Sequence, residues 1–387
     1  MGKFSVKYFA FMLIIGVLWS CQEPVKSSTP LNCPPNAHAN ADSTNCDCDS
    51  LYHWNEDQTE CVLDTSSHEF TWQLYTIGGH GSFLRDAKII SENDIWVVGQ
   101  IQLDTGYYNA AHWDGSTWQI LALSPWRSVY ELYSMFWFSD TNIWYGNLTL
   151  PMYYNGHSFY VFSPDSDDYP GGYLINSIYG TFSNDMYFAG DHGSIVHYNG
   201  EQFTTLNTPT DVDLQAILAS PDGEYIFFQG RNDFEGYGTI LLQLHNYQMV
   251  TIYRCETLYP ESGNYGRLYS SYVWGDTVFS ATKAGVWKYN YRTRESILIP
   301  DSIAHIGEHY IKKIIGNSSN DYILVGNWWD FTHYNGKGYS LNTELEDYLG
   351  AGSNSGIEGG DMQGNLAVVC GYIHAGAHGA VAIGRRE

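Results

Sequence analysis

Two patterns of hydrophobic and polar positions alternate along this chain. The first is a hairpin, typified by Ala111-His112-Trp113-Asp114-Gly115-Ser116-Thr117-Trp118-Gln119. Apolar and aromatic residues flank Asp-Gly on both sides, which predicts two strands joined by a tight turn. Asp-Gly suits a type I′ turn, whose two central residues both take positive φ. The pattern returns as Tyr153-Tyr154-Asn155-Gly156-His157-Ser158-Phe159, His197-Tyr198-Asn199-Gly200-Glu201-Gln202-Phe203 and His333-Tyr334-Asn335-Gly336-Lys337-Gly338-Tyr339. Weaker copies lie at Lys288-Tyr289-Asn290-Tyr291 and around Leu244-His245-Asn246. The second pattern is a near-continuous apolar run following a turn such as Glu92-Asn93-Asp94, Asp140-Thr141-Asn142, Ser183-Asn184-Asp185 or Ser319-Asn320-Asp321. These runs begin at Ile95, Ile143, Met186, Tyr225, Val278, Tyr322 and Leu366. Uninterrupted apolar runs predict strands covered on both faces.

A hairpin recurring at a period of roughly 45 residues marks a repeat protein of four-stranded units. Seven runs predict seven units, so the fold class is all-β, a seven-bladed β-propeller. Ring closure is also written in the pattern. Val381-Ala382-Ile383-Gly384 reads as a third strand with no fourth after it, and Thr71-Trp72-Gln73-Leu74 copies the fourth strand Thr117-Trp118-Gln119-Ile120. The N-terminal strand is therefore expected to complete the last blade and remove an open sheet edge. Residues 65–387 form one domain on this reading.

Composition agrees: aromatics are 16% and glycines number 39, favouring strands and turns. The net charge of −24 argues against a nucleic-acid partner, because few cations could neutralise phosphates.

Residues 1–64 read differently. Lys3 and Lys7 precede an apolar run from Phe9 to Trp19, too short to span a bilayer as a helix. It ends in Leu18-Trp19-Ser20-Cys21. This segment resembles a bacterial lipoprotein signal with its lipobox. The resemblance implies a signal peptide over 1–20, cleavage before Cys21 and lipidation of that residue, so the membrane is met through a lipid anchor only. Gln22 in place of Asp points, by the same analogy, to the outer membrane. Residues 21–32 are a polar tether.

Cys33, Cys46, Cys48 and Cys61 follow in the spacing C-x12-C-x-C-x12-C. So short an exported segment cannot bury enough apolar surface alone, which predicts two disulfides; three pairings are open. The Cys-x-Cys, the aromatic turn with Tyr52 and Trp54, and the last Cys resemble the C-terminal half of an EGF-like module. That resemblance covers residues 33–61 and implies Cys48–Cys61, leaving Cys33 for Cys46. The acidic stretch of calcium-binding members is missing, so no metal is expected in this module, which reads as a stalk over 33–64.

In such a ring the connections from fourth to first strand, and from second to third, share one rim. They are long and varied, whereas the hairpin turns on the opposite face are short and uniform. Variable loops on a fixed scaffold are where function concentrates. This places Trp126, Arg127, Asp191, His192, Arg231, Asp233, Trp328, Trp329 and Asp330 on the candidate face, with the acidic run 165–168, Glu256 to Tyr265, and the pairs His305/His309 and His374/His378. Exposed rings with carboxylates suit sugar stacking, and Trp, Tyr and Arg suit protein recognition equally. Trp328-Trp329 could instead pack against a neighbouring blade. His112, His197 and His333 recur at equivalent positions and read as structural. Cys255 and Cys370 read as buried small hydrophobes rather than a bridge.

The hairpins are similar to the Asp-box of sialidase-like propellers, but here Asp or Asn touches Gly directly. A sialidase-like site would need convergent arginines, for which Arg85, Arg127 and Arg267 are available. Metalloprotease, serine-hydrolase and phosphate-loop motifs are missing, and no cofactor is expected. The reading is a monomeric, membrane-anchored extracytoplasmic binding protein whose loop-rich face takes a protein or glycan. The alternative is a glycoside hydrolase or lyase using that face.

Overall fold

The computed structural model describes residues 31–55, 57–163, 173–232, 238–259, 261, 264–304, 306, 311–349, 354–374 and 378–387. The expected signal peptide over 1–20, Cys21, most of the expected tether, the run 165–168, Asp233, His305 and His309 lie outside the described residues. The chain divides into two compact units, at Leu63 and Asp64.

The second unit contains seven four-stranded antiparallel sheets, each with its strands in chain order except the last. Blade 1 runs Phe83–Ser91, Asp94–Leu103, Gly106–Trp113 and Trp118–Leu121, and blades 2 to 6 repeat this order from Leu132 to Asn342. Blade 7 is Gly356–Gln363, Leu366–Ile373 and His378–Arg385, closed by Thr71–Ile77 as its outermost strand. Gly384 pairs with Trp72 and Ile383 with Gln73, as ring closure requires. All seven predicted second strands are present.

The core is distributed between blades. Seven buried clusters exist among the described residues, each built from two adjacent blades. Val97 packs toward blade 7 and Val98 toward blade 2; Phe228 faces blade 3 and its neighbour Phe227 faces blade 5. Successive side chains point to opposite sheet faces, so a strand sandwiched between two blades is apolar on both faces along most of its length.

The hairpin turns differ from the type I′ expectation. Gly115, Gly156, Gly200 and Gly336 take positive φ, but Asp114, Asn155, Asn199 and Asn335 do not. Instead the Asp114 Oδ1 accepts the backbone N–H groups of Ser116 and Thr117, and Asn155, Asn199 and Asn335 do the same in their turns. The side chain substitutes for a backbone acceptor, giving an Asx loop that needs a single left-handed residue. That residue must also lack a Cβ. One built on Gly156 would lie 2.5 Å from Thr141 Cγ2, in the turn joining the blade's first two strands.

The first unit contains two hairpins, Ala37–Ala39 with Cys46–Cys48 and Tyr52–Trp54 with Cys61–Leu63. Disulfides join Cys33 to Cys46 and Cys48 to Cys61, the pairing implied by the EGF-like resemblance. The hairpins are tandem copies, a relation that cysteine spacing alone did not bring out. His38, Asn40, Asp42 and Thr44 correspond to His53, Asn55, Asp57 and Thr59 at a fixed offset. In both, the Asn side-chain oxygen accepts the backbone N–H of the Thr four residues on and of the residue after it.

Candidate functional site

Every first strand lines the central channel, and each carries a bulge near its start, between Leu84 and Asp86 in blade 1 and at the matching position in the other six. A bulge re-aims the next side chain. Four charge pairs result in blades 6, 7, 1 and 2. Lys313 Nζ lies 2.6 Å from Asp86, Lys88 Nζ 2.7 Å from Asp361, Lys312 Nζ 3.7 Å from Glu358, and Arg85 Nε 2.7 Å from Glu131. Asp86 also accepts the backbone N–H of Met135 and Asp361 that of Ile89, so the two carboxylates tie blades together. Burial opposes the charge on Arg85, but Glu131 outweighs it and raises the guanidinium pKa.

The loop-rich rim holds a built feature after the fourth strand of blade 1. Asn109 is fully buried, donates from Nδ2 to the carbonyls of Leu123 and Tyr130, and accepts the Leu123 N–H. Ser124 Oγ donates to the Ser128 carbonyl and accepts the Trp126 N–H. The loop is therefore fixed from inside while Trp126 and Tyr130 stand 47% and 43% exposed, edge to face at 6.2 Å, beside exposed Arg127.

The other sequence-chosen residues have different fates. Asp191 accepts the Asn176 amide, and exposed His192 stacks on Tyr173 with centroids 4.6 Å apart. Arg231 is buried and donates to the carbonyls of Tyr269 and Ile311, so it braces blades 5 and 6 instead of standing on the rim. Trp329 is no exposed platform either. It is fully buried among Phe70, Phe331 and Ile357 and donates Nε1–H to the Tyr372 carbonyl, while Asp330 is buried beside it. Trp328 is half-buried, and both tryptophans take positive φ, a strained geometry held by Trp329's packing. Arg267 is also fully buried, which removes it from a set of rim arginines.

The recurrent histidines pair with the Asp that opens each second strand: His112 with Asp94, His197 with Asp185 and His333 with Asp321. They brace the blades, as expected. Cys255 and Cys370 are free and buried, and burial pushes the Cys370 thiol up. Among the described residues no group of three His, Cys, Asp or Glu side chains could hold a metal ion.

Sequence reasoning missed Asn109 and, Arg85 apart, the channel charges. The signal was present: Arg85-Asp86, Lys88, Lys312-Lys313, Glu358 and Asp361 are charged positions within first strands, where blades 3 to 5 carry Asn, Ser and Gln.

No family model matches the chain, and no curated protein matches it. Solved structures do share its fold. One, described as YCF48 bound to D1 peptide, superposes with a TM-score of 0.60 at 12% identity, covering 84% of this chain and 98% of that one. YCF48 from Cyanidioschyzon merolae gives a TM-score of 0.55 at 12% identity, covering 81% and 98%. The extracellular domain of a putative one-component system from B. thetaiotaomicron gives 0.55 at 14% identity, covering 81% of this chain and 40% of that one. At these identities the likeness establishes the propeller fold.

Proposed function

We propose that this protein is a lipid-anchored, extracytoplasmic binding protein, monomeric, whose loop-rich propeller face binds a protein or glycan. The observation that carries the reading is the loop Ser124–Tyr130. It is held by buried Asn109 and presents two aromatic rings and an arginine to solvent. Prefixed aromatic and Arg side chains lose little entropy on binding and dominate protein hot spots. That composition favours a polypeptide ligand. A fold relative described as bound to a peptide supports the same choice. The anchor rests on Leu18-Trp19-Ser20-Cys21, and a solved relative described as an extracellular domain is consistent with the compartment. Asp86 and Asp361 are engaged by lysines and backbone N–H groups, an arrangement that favours binding over acid–base chemistry.

The test is a screen of the full chain against peptide and glycan arrays, repeated with Trp126→Ala/Arg127→Ala. Hits on peptides that the double variant loses support the reading. Array hits that survive in the double variant, or a blank on both arrays, remove it.

A further inference from the structure

The channel holds a cavity of about 380 Å³, within the range of small-ligand sites. Its wall is unlike the rest of the molecule. Five cationic side chains (Arg85, Lys88, Arg231, Lys312 and Lys313) line it against three anionic ones (Asp86, Glu358 and Asp361), with Glu131 behind Arg85 as a fourth, in a chain of net charge −24. The Lys88 and Lys313 side chains are 42% and 36% exposed. Each ammonium carries three donors and gives one to a carboxylate, Asp361 and Asp86 respectively, which leaves two on each without a partner among the described residues.

Blade 4 contributes a second, independent feature. The residue after the bulge pairs across to the second strand in every blade. The partners are Val98, Gly146, Ala189, Gln229, Ala281, Val325 and Cys370 in blades 1 to 7. Gln229 alone among them bears an amide, and it sits opposite the small Ala216, which lets a second-strand side chain reach the cavity wall. Gln229 is 1% exposed, and its Nε2 has no hydrogen-bond partner among the described residues. A buried donor is rarely left unpaired.

We propose that the central channel binds a small organic carboxylate, with its anionic group on Lys88 and Lys313 and a second acceptor on the Gln229 amide. This is independent of the rim reading, since none of these residues belongs to the Ser124–Tyr130 loop.

Calorimetric titration of the full chain with succinate tests it, with dimethyl succinate and glucose as uncharged controls. Succinate binds saturably at one site, and the controls do not. Lys88→Met weakens succinate by about tenfold, the worth of one charge-assisted hydrogen bond, while Lys88→Arg retains it. Gln229→Leu weakens it by about threefold or more without lowering Tm. If Gln229→Leu fails to fold, the Lys88 pair of variants decides. No saturable succinate binding at about 100-fold excess, equal affinity for dimethyl succinate, or Lys88→Met binding as well as the parent would overturn the proposal.

Discussion

Arg386 grips Asp321 with both terminal guanidinium nitrogens, Nη1 donating to Oδ1 at 2.8 Å and Nη2 to Oδ2. The arginine follows the last strand of blade 7, and the aspartate opens the second strand of blade 6. Ser66 Oγ donates to the same carboxylate at 2.7 Å, and His333 Nε2 approaches it at 3.0 Å. The two ends of the propeller sequence are thus fastened to one buried charge, beside the strand that closes the ring.

Removing one member of such a pair strands the other. Arg386→Ala is expected to cost about 3 kcal/mol, measured by urea unfolding. Burial works to raise the Asp321 pKa, but hydrogen bonds from His333, Arg386, Asn317 and Ser66 outweigh it and hold the carboxyl below the ordinary range. A depressed carboxylate contributes stability that is present above its unfolded pKa and lost as pH falls through the folded value. Acid unfolding below about pH 4 should therefore be steeper in the parent than in Asp321→Asn. Equal acid profiles would show that the carboxylate is not the sensor.

His68 brings a second pH dependence at milder acidity. Its Nδ1 lies 2.9 Å from the Nδ1 of His333, so one ring must donate and the other accept. The Asp321 carboxylate, which can only accept, lies closer to His333 Nε2 (3.0 Å) than the Arg386 Nη1 does (3.3 Å), so the proton is assigned to Nε2, which makes Nδ1 the acceptor and His68 the donor. Burial, then the neighbouring His333, lowers the His68 pKa. The unfolded chain takes up the proton first, so stability is full above about pH 6.5 and declines as pH falls below it. Urea midpoints between pH 7 and 5 should slope less in His68→Gln. An unchanged slope rejects the assignment.

Trp72 lies across Gly384 at the closure. A Cβ on Gly384 would come within 2.6 Å of Trp72 Cζ3. Gly384→Ala must push the indole and the closing strand outward, at about 1–3 kcal/mol. The measurement is limited proteolysis, with cleavage before Phe83 accelerated. Proteolysis at the parent rate would show that the strand accommodates the methyl.

Gly156 combines positive φ with the contact to Thr141. Gly156→Ala should destabilise by more than about 1 kcal/mol, whereas Thr141→Ala should restore part of the loss by opening the contact. A thermal-melt cycle over both positions reads the coupling. Additive effects would leave backbone conformation as the whole cause.

Each disulfide in the first unit spans a sequence separation of 13. Replacing Cys33 and Cys46 together by serine should cost that hairpin about 3 kcal/mol. Amide exchange at Ala37–Ala39 should rise while that at Tyr52–Trp54 stays unchanged, since each copy carries its own Asn-centred turn. Exchange rising in both would mean the copies fold as one.

Much of this architecture is local chemistry and could be read directly. Alternation marked the hairpins, uninterrupted apolar runs marked strands buried on both faces, and the unmatched strands at Val381 and Thr71 marked the closure. His112, His197 and His333 could be classed as structural because they recur. What the sequence by itself determined was therefore the blade, its number of copies and the ring. Tertiary structure decided which rim residues face solvent. Trp126 and Trp329 look alike as letters in loops, yet one is held out by Asn109 and the other is packed between blades 6 and 7. It also decided the channel, where Lys313 meets Asp86 only because blade 6 comes round to face blade 1. Periodicity is set by neighbours a few residues apart, whereas exposure and charge pairing depend on residues tens to hundreds of positions away.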